Sequence, residues 1–157
     1  MNSATQTPTS DIRQNDLDTL NLLLRGEISA LETYASAMKK FTDEPTLSEL
    51  SRIHGEHQET VSMLRDQVVE LGGEPSPGSG WWGTFTTSLV GGSKLLGPQT
   101  VLSTLKQGED HGTGEYQRGI ADPKLSPDLK AKFSTQLARC HTHMSELETM
   151  IAKIEAN

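Results

Sequence analysis

The sequence is poor in the residues that mark several large classes of protein. Its 157 residues include one cysteine, Cys140, so no disulfide can form within the chain, and a reducing compartment is favoured. The net charge is −7, and no basic cluster is longer than Lys39-Lys40. Because nucleic-acid binding requires basic side chains to neutralise phosphates, this composition disfavours a nucleic-acid partner.

Long apolar runs are also missing. No stretch approaches the length of a membrane span, and residues 1–10 have neither the cationic start nor the apolar core of a signal peptide. We therefore expect a soluble, cytoplasmic protein with no membrane partner. Its length suits one domain, residues 12–157, preceded by a flexible tail at 1–11.

Apolar residues recur at steps of three and four in four segments, which is the pattern of amphipathic helices. A stop signal, Asp43-Glu44-Pro45, follows the first segment, and Ser126-Pro127 is a strong start signal for the fourth. Thr46 with Glu49 has capping-box spacing for the second. The predicted helices span about 12–42, 46–71, 98–121 and 127–155.

A long connection separates the second and third predicted helices. Residues 72–80 are too rich in glycine and proline for regular structure, and the following WWGTFTTSLV predicts a short helix. We expect 72–97 to be a crossover in which Trp81 and Trp82 either seal one flank or form a patch for a partner chain. Two short-looped hairpins joined by such a crossover predict an all-α, ferritin-like four-helix bundle.

One short phrase occurs twice, as RGEISALETY from residue 25 and as QGEDHGTGEY from residue 107. Each copy places a glutamate after glycine and a tyrosine seven residues later, giving Glu27 with Tyr34 and Glu109 with Tyr116. Seven residues are two helical turns, so each pair shares one helix face. The phrase therefore indicates an internal repeat in which the first helix of each hairpin presents a carboxylate to the core.

The second helix of each hairpin supplies further polar residues at core positions. Aligning these helices by their apolar residues pairs His57 with His143 and His54 with Cys140. Buried acids and imidazoles need partners, and a divalent metal would provide one. Imidazole, carboxylate and thiolate together suit a transition metal, iron or zinc, better than magnesium or calcium. The candidate metal ligands are Glu27, His54, His57, Glu109, Cys140 and His143.

These residues also carry a family resemblance. The Gly-Glu…Tyr phrase, the histidine-bearing second helix, the LRDQVVELGGEP turn followed by GSGWWG, and the repeated GED…EY resemble a bacterial ferritin-like family of unknown function. That family is distantly similar to rubrerythrins, and the resemblance covers nearly everything from about residue 12 onward. It supports the fold and supplies no assigned activity.

The resemblance also implies a ligand pattern, from which this sequence departs. Ferritin-like proteins take one Glu from each of two helices and Glu-x-x-His from each of the other two. Glu27, Glu109, His57 and His143 match, whereas His54 and Cys140 replace the remaining acids, which bridge two irons in that pattern. One metal, two unbridged metals or no metal are therefore all better supported than a standard di-iron centre.

Two functions stay open, and with them the question of enzyme activity. With iron, the protein would handle iron or peroxide as a rubrerythrin-like stress protein, and with zinc the metal would be structural. The alternative is a metal-free interaction or structural module, whose acids bond to the histidines or to Tyr34 and Tyr116 and set the helix register. The wide apolar stripe of the fourth helix is compatible with a homodimer.

Overall fold

A computed structural model of the chain describes residues 8–80 and 96–157. The short helix predicted within the crossover, with Trp81 and Trp82, lies outside the described residues. The described parts contain four helices and no strand, and none of these helices is long and apolar enough to cross a membrane. They are α1 (Pro8–Met38), α2 (Glu44–Glu70), α3 (Pro98–Ala121) and α4 (Pro127–Glu155).

The helices form a four-helix bundle made of two hairpins. α1 packs along α2, α3 packs along α4, and α1 also packs against α3, whereas α2 and α4 approach each other less closely. Polar side chains cross the α2–α4 seam, where Thr60 donates to Gln136 at 2.9 Å and Arg139 pairs with Glu59 at 3.0 Å. The seam between α2 and α4 is therefore the polar side of the bundle.

Helix α1 begins and ends earlier than its apolar pattern indicated. It starts at Pro8, not at residue 12, because proline suits the first turn of a helix even though no apolar stripe has begun there. It ends at Met38, not at residue 42, in a turn where the Phe41 backbone N–H donates to the Met38 carbonyl at 3.2 Å. This turn leaves Phe41 only 8% exposed, within the core.

Helix α2 also begins earlier than predicted, at Glu44. The side chain of Asp43 caps it by accepting the backbone N–H of Thr46 at 3.0 Å, so the signal that we interpreted as a stop for α1 also starts α2. Its C-terminus closes at Gly72, whose φ of 72° is the left-handed conformation that favours glycine. Arg13 of α1 donates to the Leu71 carbonyl at 2.6 Å and ties this end to α1.

Apolar side chains fill the bundle in two clusters at opposite ends. One cluster contains Leu20, Leu24 and Leu64, and the other contains Leu50 and Leu102. On each helix, the residues of the two clusters are separated along the chain by about two to three turns. The buried polar side chains Glu27, His57, Glu109 and His143 come from these intervening turns or their edges. The core is thus apolar at both ends and polar in the middle.

Candidate metal centre

Each helix contributes one buried carboxylate or imidazole to the middle of the bundle. Glu27 of α1, His57 of α2, Glu109 of α3 and His143 of α4 are 7%, 5%, 4% and 2% exposed. We call these four residues the polar layer. Helical periodicity turns each of them inward, because each lies three or four residues from an apolar core residue of its own helix.

His57 lies between the two carboxylates of the polar layer. Its Nδ1 is 2.7 Å from Oε2 of Glu27, and its Nε2 is 2.9 Å from Oε1 of Glu109. Burial alone would lower the pKa of His57, but the two carboxylates outweigh burial and raise this pKa to about 10. In the metal-free protein at neutral pH, His57 is therefore a cation held between two anions.

Two tyrosines complete the carboxylate contacts in a reciprocal arrangement. The hydroxyl of Tyr34 on α1 donates to Oε1 of Glu109 on α3 at 2.7 Å. Conversely, Tyr116 on α3 donates to Oε1 of Glu27 on α1 at 2.6 Å. Burial and the adjacent carboxylates raise the pKa of both tyrosines well above 10, so both remain proton donors. Each tyrosine therefore bonds the glutamate of the opposite helix.

His143 has one bonded and one unbonded nitrogen. Its Nε2 is 2.7 Å from Oε2 of Glu56, whereas its Nδ1 is 3.3 Å from Oε1 of Glu109 without hydrogen-bond geometry. In the described part of the chain, this Nδ1 is the one buried side-chain nitrogen or oxygen without a hydrogen-bond partner. Such atoms are rare in folded proteins and ask for an explanation.

Glu109 and His143 each shift the pKa of the other. Burial would raise the pKa of Glu109, but His57 and His143 outweigh burial and lower that pKa well below its usual range. Burial would likewise lower the pKa of His143, but Glu109 and Glu56 raise it. Glu109 is therefore an anion with an imidazole on two sides.

Three side chains are close enough together to bind one metal ion. One ligand atom each from His57, Glu109 and His143 lie within 4.8 Å of one another, and all three residues are buried. Bonds of about 2.0–2.2 Å place the ligand atoms of a metal about 3–4 Å apart, so small side-chain movements would suffice. A cavity of about 60 Å³, lined mainly by residues of α1 and α3, includes Glu27 and Glu109 in its lining.

The structure places the other two predicted ligands differently. Cys140 is buried and lines the same cavity, but it is outside the group of three. Burial raises the pKa of its thiol, and the two nearby glutamates raise it further, so without a metal the thiol is protonated. His54 is half-buried and is also outside that group.

The prediction that His54 occupies the core stripe of α2 was wrong. The inward position belongs to Ile53, which is fully buried, because the steps from Leu50 to Ile53 to His57 are also three and four residues. Both choices satisfy helical periodicity, and the apolar side chain gains more from burial. Burial lowers the pKa of His54, and the neighbouring positive His57 lowers it further.

Glu56 also belongs to this site, although the sequence pattern did not predict it. Its carboxylate contacts His143 from the solvent side, and Arg52 holds the same carboxylate at 2.5 Å. Glu56 directly precedes His57 and borders the buried stripe, which is the one sequence signal that pointed to it. The pattern of α2 alone could not distinguish it from the acids of the solvated face.

Comparisons with known proteins agree with this architecture. The model of a protein family described as "Domain of unknown function (DUF2383)" matches residues 15–122, and a comparison with curated proteins gives no significant match. Among solved structures, a ferritin-like, diiron-carboxylate protein from Bacillus anthracis str. Ames is similar, with a TM-score of 0.70 and 17% identity. The match covers 89% of this chain and 97% of that one. The all-α, ferritin-like four-helix fold is thereby confirmed, and the chain belongs to the DUF2383 family.

Proposed function

We propose that the polar layer binds one divalent transition-metal ion through His57, Glu109 and His143. The observation that carries this proposal is the unbonded Nδ1 of His143, 3.3 Å from a carboxylate oxygen of Glu109. When His143 is neutral and donates its Nε2–H to Glu56, its Nδ1 presents a lone pair to the carboxylate oxygen of Glu109, and these lone pairs repel each other unless a proton or a metal ion lies between them. A metal ion would bind both lone pairs and remove the cost of leaving them buried and unbonded.

The chemistry of these three side chains favours iron or zinc. Two imidazoles and one carboxylate are a known ligand set for zinc and for mononuclear non-haem iron, whereas magnesium and calcium prefer oxygen ligands. His54 and Cys140 stand where the diiron pattern has its bridging acids, so a single ion is the better fit. Bound zinc would supply a Lewis acid or a structural link, and bound iron would supply redox chemistry.

The remaining residues of the site would hold the ligands and leave room beside them. Glu27 accepts from Nδ1 of His57 and Tyr34 donates to Glu109, so both ligands are held in place. Water molecules fit in the cavity of about 60 Å³ beside the carboxylates. Such space suits an exchangeable ligand, which supports a role in iron or peroxide handling under stress if the metal is iron.

One observation favours a second function, that of a metal-free structural or interaction module. Tyr34 donates a hydrogen bond to Glu109, and Tyr116 donates one to Glu27. One oxygen of each carboxylate therefore has a hydrogen-bond donor without a metal. A hydrogen-bonded polar layer of this kind fixes the register between α1 and α3. In this alternative, His57 serves only as the cation between two acids.

Elemental analysis of protein purified without chelator separates these functions. We expect about one iron or zinc ion per chain, and a large loss of metal in His57→Ala and His143→Ala. The matched controls are His54→Ala and His141→Ala, which remove imidazoles from the same helices outside the group of three. A folded wild-type protein that neither contains nor takes up iron or zinc would establish the metal-free alternative.

The proposal also includes a cytoplasmic location and a homodimeric state. The one cysteine is free and buried, which supports a reducing cytoplasmic environment. The homodimer is proposed from the wide apolar stripe of α4, at whose end Ile154 is 36% exposed. Light scattering coupled to size-exclusion chromatography tests the dimer directly, and a mass of 17.1 kDa would exclude it.

A further inference from the structure

The imidazole of His143 is hydrogen-bonded at one ring nitrogen, Nε2, and its other nitrogen, Nδ1, faces the polar layer without a hydrogen-bond partner. Nε2 points away from the centre to Glu56, and Nδ1 points toward Glu109. In His57 the arrangement is the opposite, because Nε2 faces Glu109 and Nδ1 bonds Glu27. The two imidazoles therefore face Glu109 through different nitrogens.

The carboxylate of Glu56 is itself fixed by its surroundings. Nη1 of Arg52 is 2.5 Å from Oε1 of Glu56, which leaves Oε2 for His143. Arg52 also pairs with Glu49 at 2.7 Å and with Glu146 of α4. This network spans the α2–α4 seam and holds Glu56 over the edge of the His143 ring. The side chain of Glu56 remains 28% exposed, so the network lies at the surface.

We propose that Glu56 is a positioning residue, which accepts the Nε2–H of His143 and so presents the Nδ1 lone pair of His143 to a metal ion at Glu109. A neutral imidazole has one N–H and one lone pair, and a carboxylate can only accept. The bond to Glu56 therefore selects both the tautomer and the ring orientation. This inference rests on the proposed metal function and adds to it a carboxylate from the neighbouring helix.

Glu56 has a matched control three residues along the same helix. Glu59 is another acid of α2 in an ion pair with an arginine, Arg139; it is more exposed than Glu56 and does not contact His143. Glu59→Gln removes the same charge as Glu56→Gln and leaves the imidazole untouched. Because the amide of Glu56→Gln can still bond Nε2, Glu56→Ala removes the contact more completely, and the two variants together separate charge from contact.

Zinc titrations of the full chain test the inference by affinity. Partners of metal-bound histidines commonly contribute about 10–100-fold to affinity, and we expect a loss in this range for Glu56→Ala. Glu56→Gln should lose less, and Glu59→Gln should stay within about twofold of wild type. Circular dichroism checks that each variant keeps its helices. If Glu56→Ala and wild type bind zinc equally, the positioning role is refuted while the metal function stands.

Nitrogen-15 NMR of the zinc-loaded protein provides a readout that a merely structural residue would not change. In wild type, His143 should carry its proton on Nε2, and exchange of this proton with water should become faster in Glu56→Ala. A proton on Nδ1 would overturn the inference, because zinc would then be bound through the other nitrogen. If wild type binds no zinc and no iron, the proposed function itself fails, which the titration shows before any variant is compared.

Discussion

Replacing His57 by glutamine should destabilise the metal-free bundle strongly near neutral pH and much less at high pH. In the native protein, the His57 imidazolium lies between the carboxylates of Glu27 and Glu109, at 2.7 Å and 2.9 Å. Glutamine retains a polar side chain but carries no charge. The variant therefore leaves two buried acids without their shared cation, and one of them must take up a proton or be hydrated.

The magnitude follows from the pKa of His57. The fold raises this pKa from 6.5 to about 10, so the folded protein holds the proton more tightly than the unfolded chain. The resulting stability is fully present below pH 6.5 and is lost as the pH rises through about 10. The shift corresponds to roughly 5 kcal/mol, similar to the cost of about 3–5 kcal/mol for breaking a buried ion pair. The side chain is only 6% exposed, so solvent screens little of this interaction.

Urea unfolding followed by circular dichroism, with a chelator present, measures this effect. The difference in the free energy of unfolding between wild type and His57→Gln should reach several kcal/mol at about pH 7 and decrease toward about pH 10.5. His54→Gln, on the same helix but half-buried, should change the free energy by less than about 1 kcal/mol. A difference between wild type and His57→Gln that stays constant or grows with pH would refute the assignment of His57 as a buried cation.

Further predictions concern the neighbours of the site and the helices that carry it. Tyr34→Phe and Tyr116→Phe each remove a buried hydrogen-bond donor to a carboxylate. In urea titrations, each should lower the free energy of unfolding by about 1.5–3 kcal/mol, and a loss below about 0.5 kcal/mol would contradict the reciprocal bonds. Gly55→Ala should raise the melting temperature, with a gain of about 0.5–1 kcal/mol, because an added Cβ meets nothing within 4 Å and alanine favours the helix. Asp43→Ala removes the cap of α2 and should cost about 1 kcal/mol, which thermal unfolding measures against Glu44→Ala as control. Zinc binding should release protons and weaken as the pH falls, because the metal displaces the proton of His57. Calorimetry measures this as a heat of zinc binding that depends on the ionisation enthalpy of the buffer. Identical heats in all buffers would contradict the prediction.

The fold could be predicted from the sequence because the signals that define each helix are local. Apolar residues at steps of three and four define the four helices, and the signals at Asp43, Ser126 and Gly72 define their ends. The ends of α1 were not accessible in this way. At Pro8 no apolar pattern has begun, and beyond Met38 the side chain of Phe41 continues the pattern although the backbone has left the helix. Periodicity reports which side chains are buried, whereas helix ends depend on backbone bonds.

The site could be predicted only in part from the sequence, since it depends on which helices face each other. A glutamate on the core stripe is a visible anomaly, and both Glu27 and Glu109 were found in this way. Two residues three apart, such as His54 and His57, cannot both face the centre when an apolar residue, Ile53, competes for the inward position. Glu56 acquires its partner only because α2 lies beside α4, and no pattern within α2 encodes that contact.

The spacing of the repeated phrase sets the register between α1 and α3 independently of the proposed metal binding. The bonds pair Tyr34 with Glu109 and Tyr116 with Glu27, so residue numbers rise along α1 while they fall along α3, and the two helices are antiparallel. When two antiparallel helices each carry tyrosine seven residues after glutamate, a register that aligns one tyrosine with the opposite glutamate aligns the other pair as well. The phrase therefore sets the alignment of α1 and α3 without any contribution from His143. Variants of the tyrosines should accordingly change stability with or without zinc, whereas variants of His143 should change zinc affinity most.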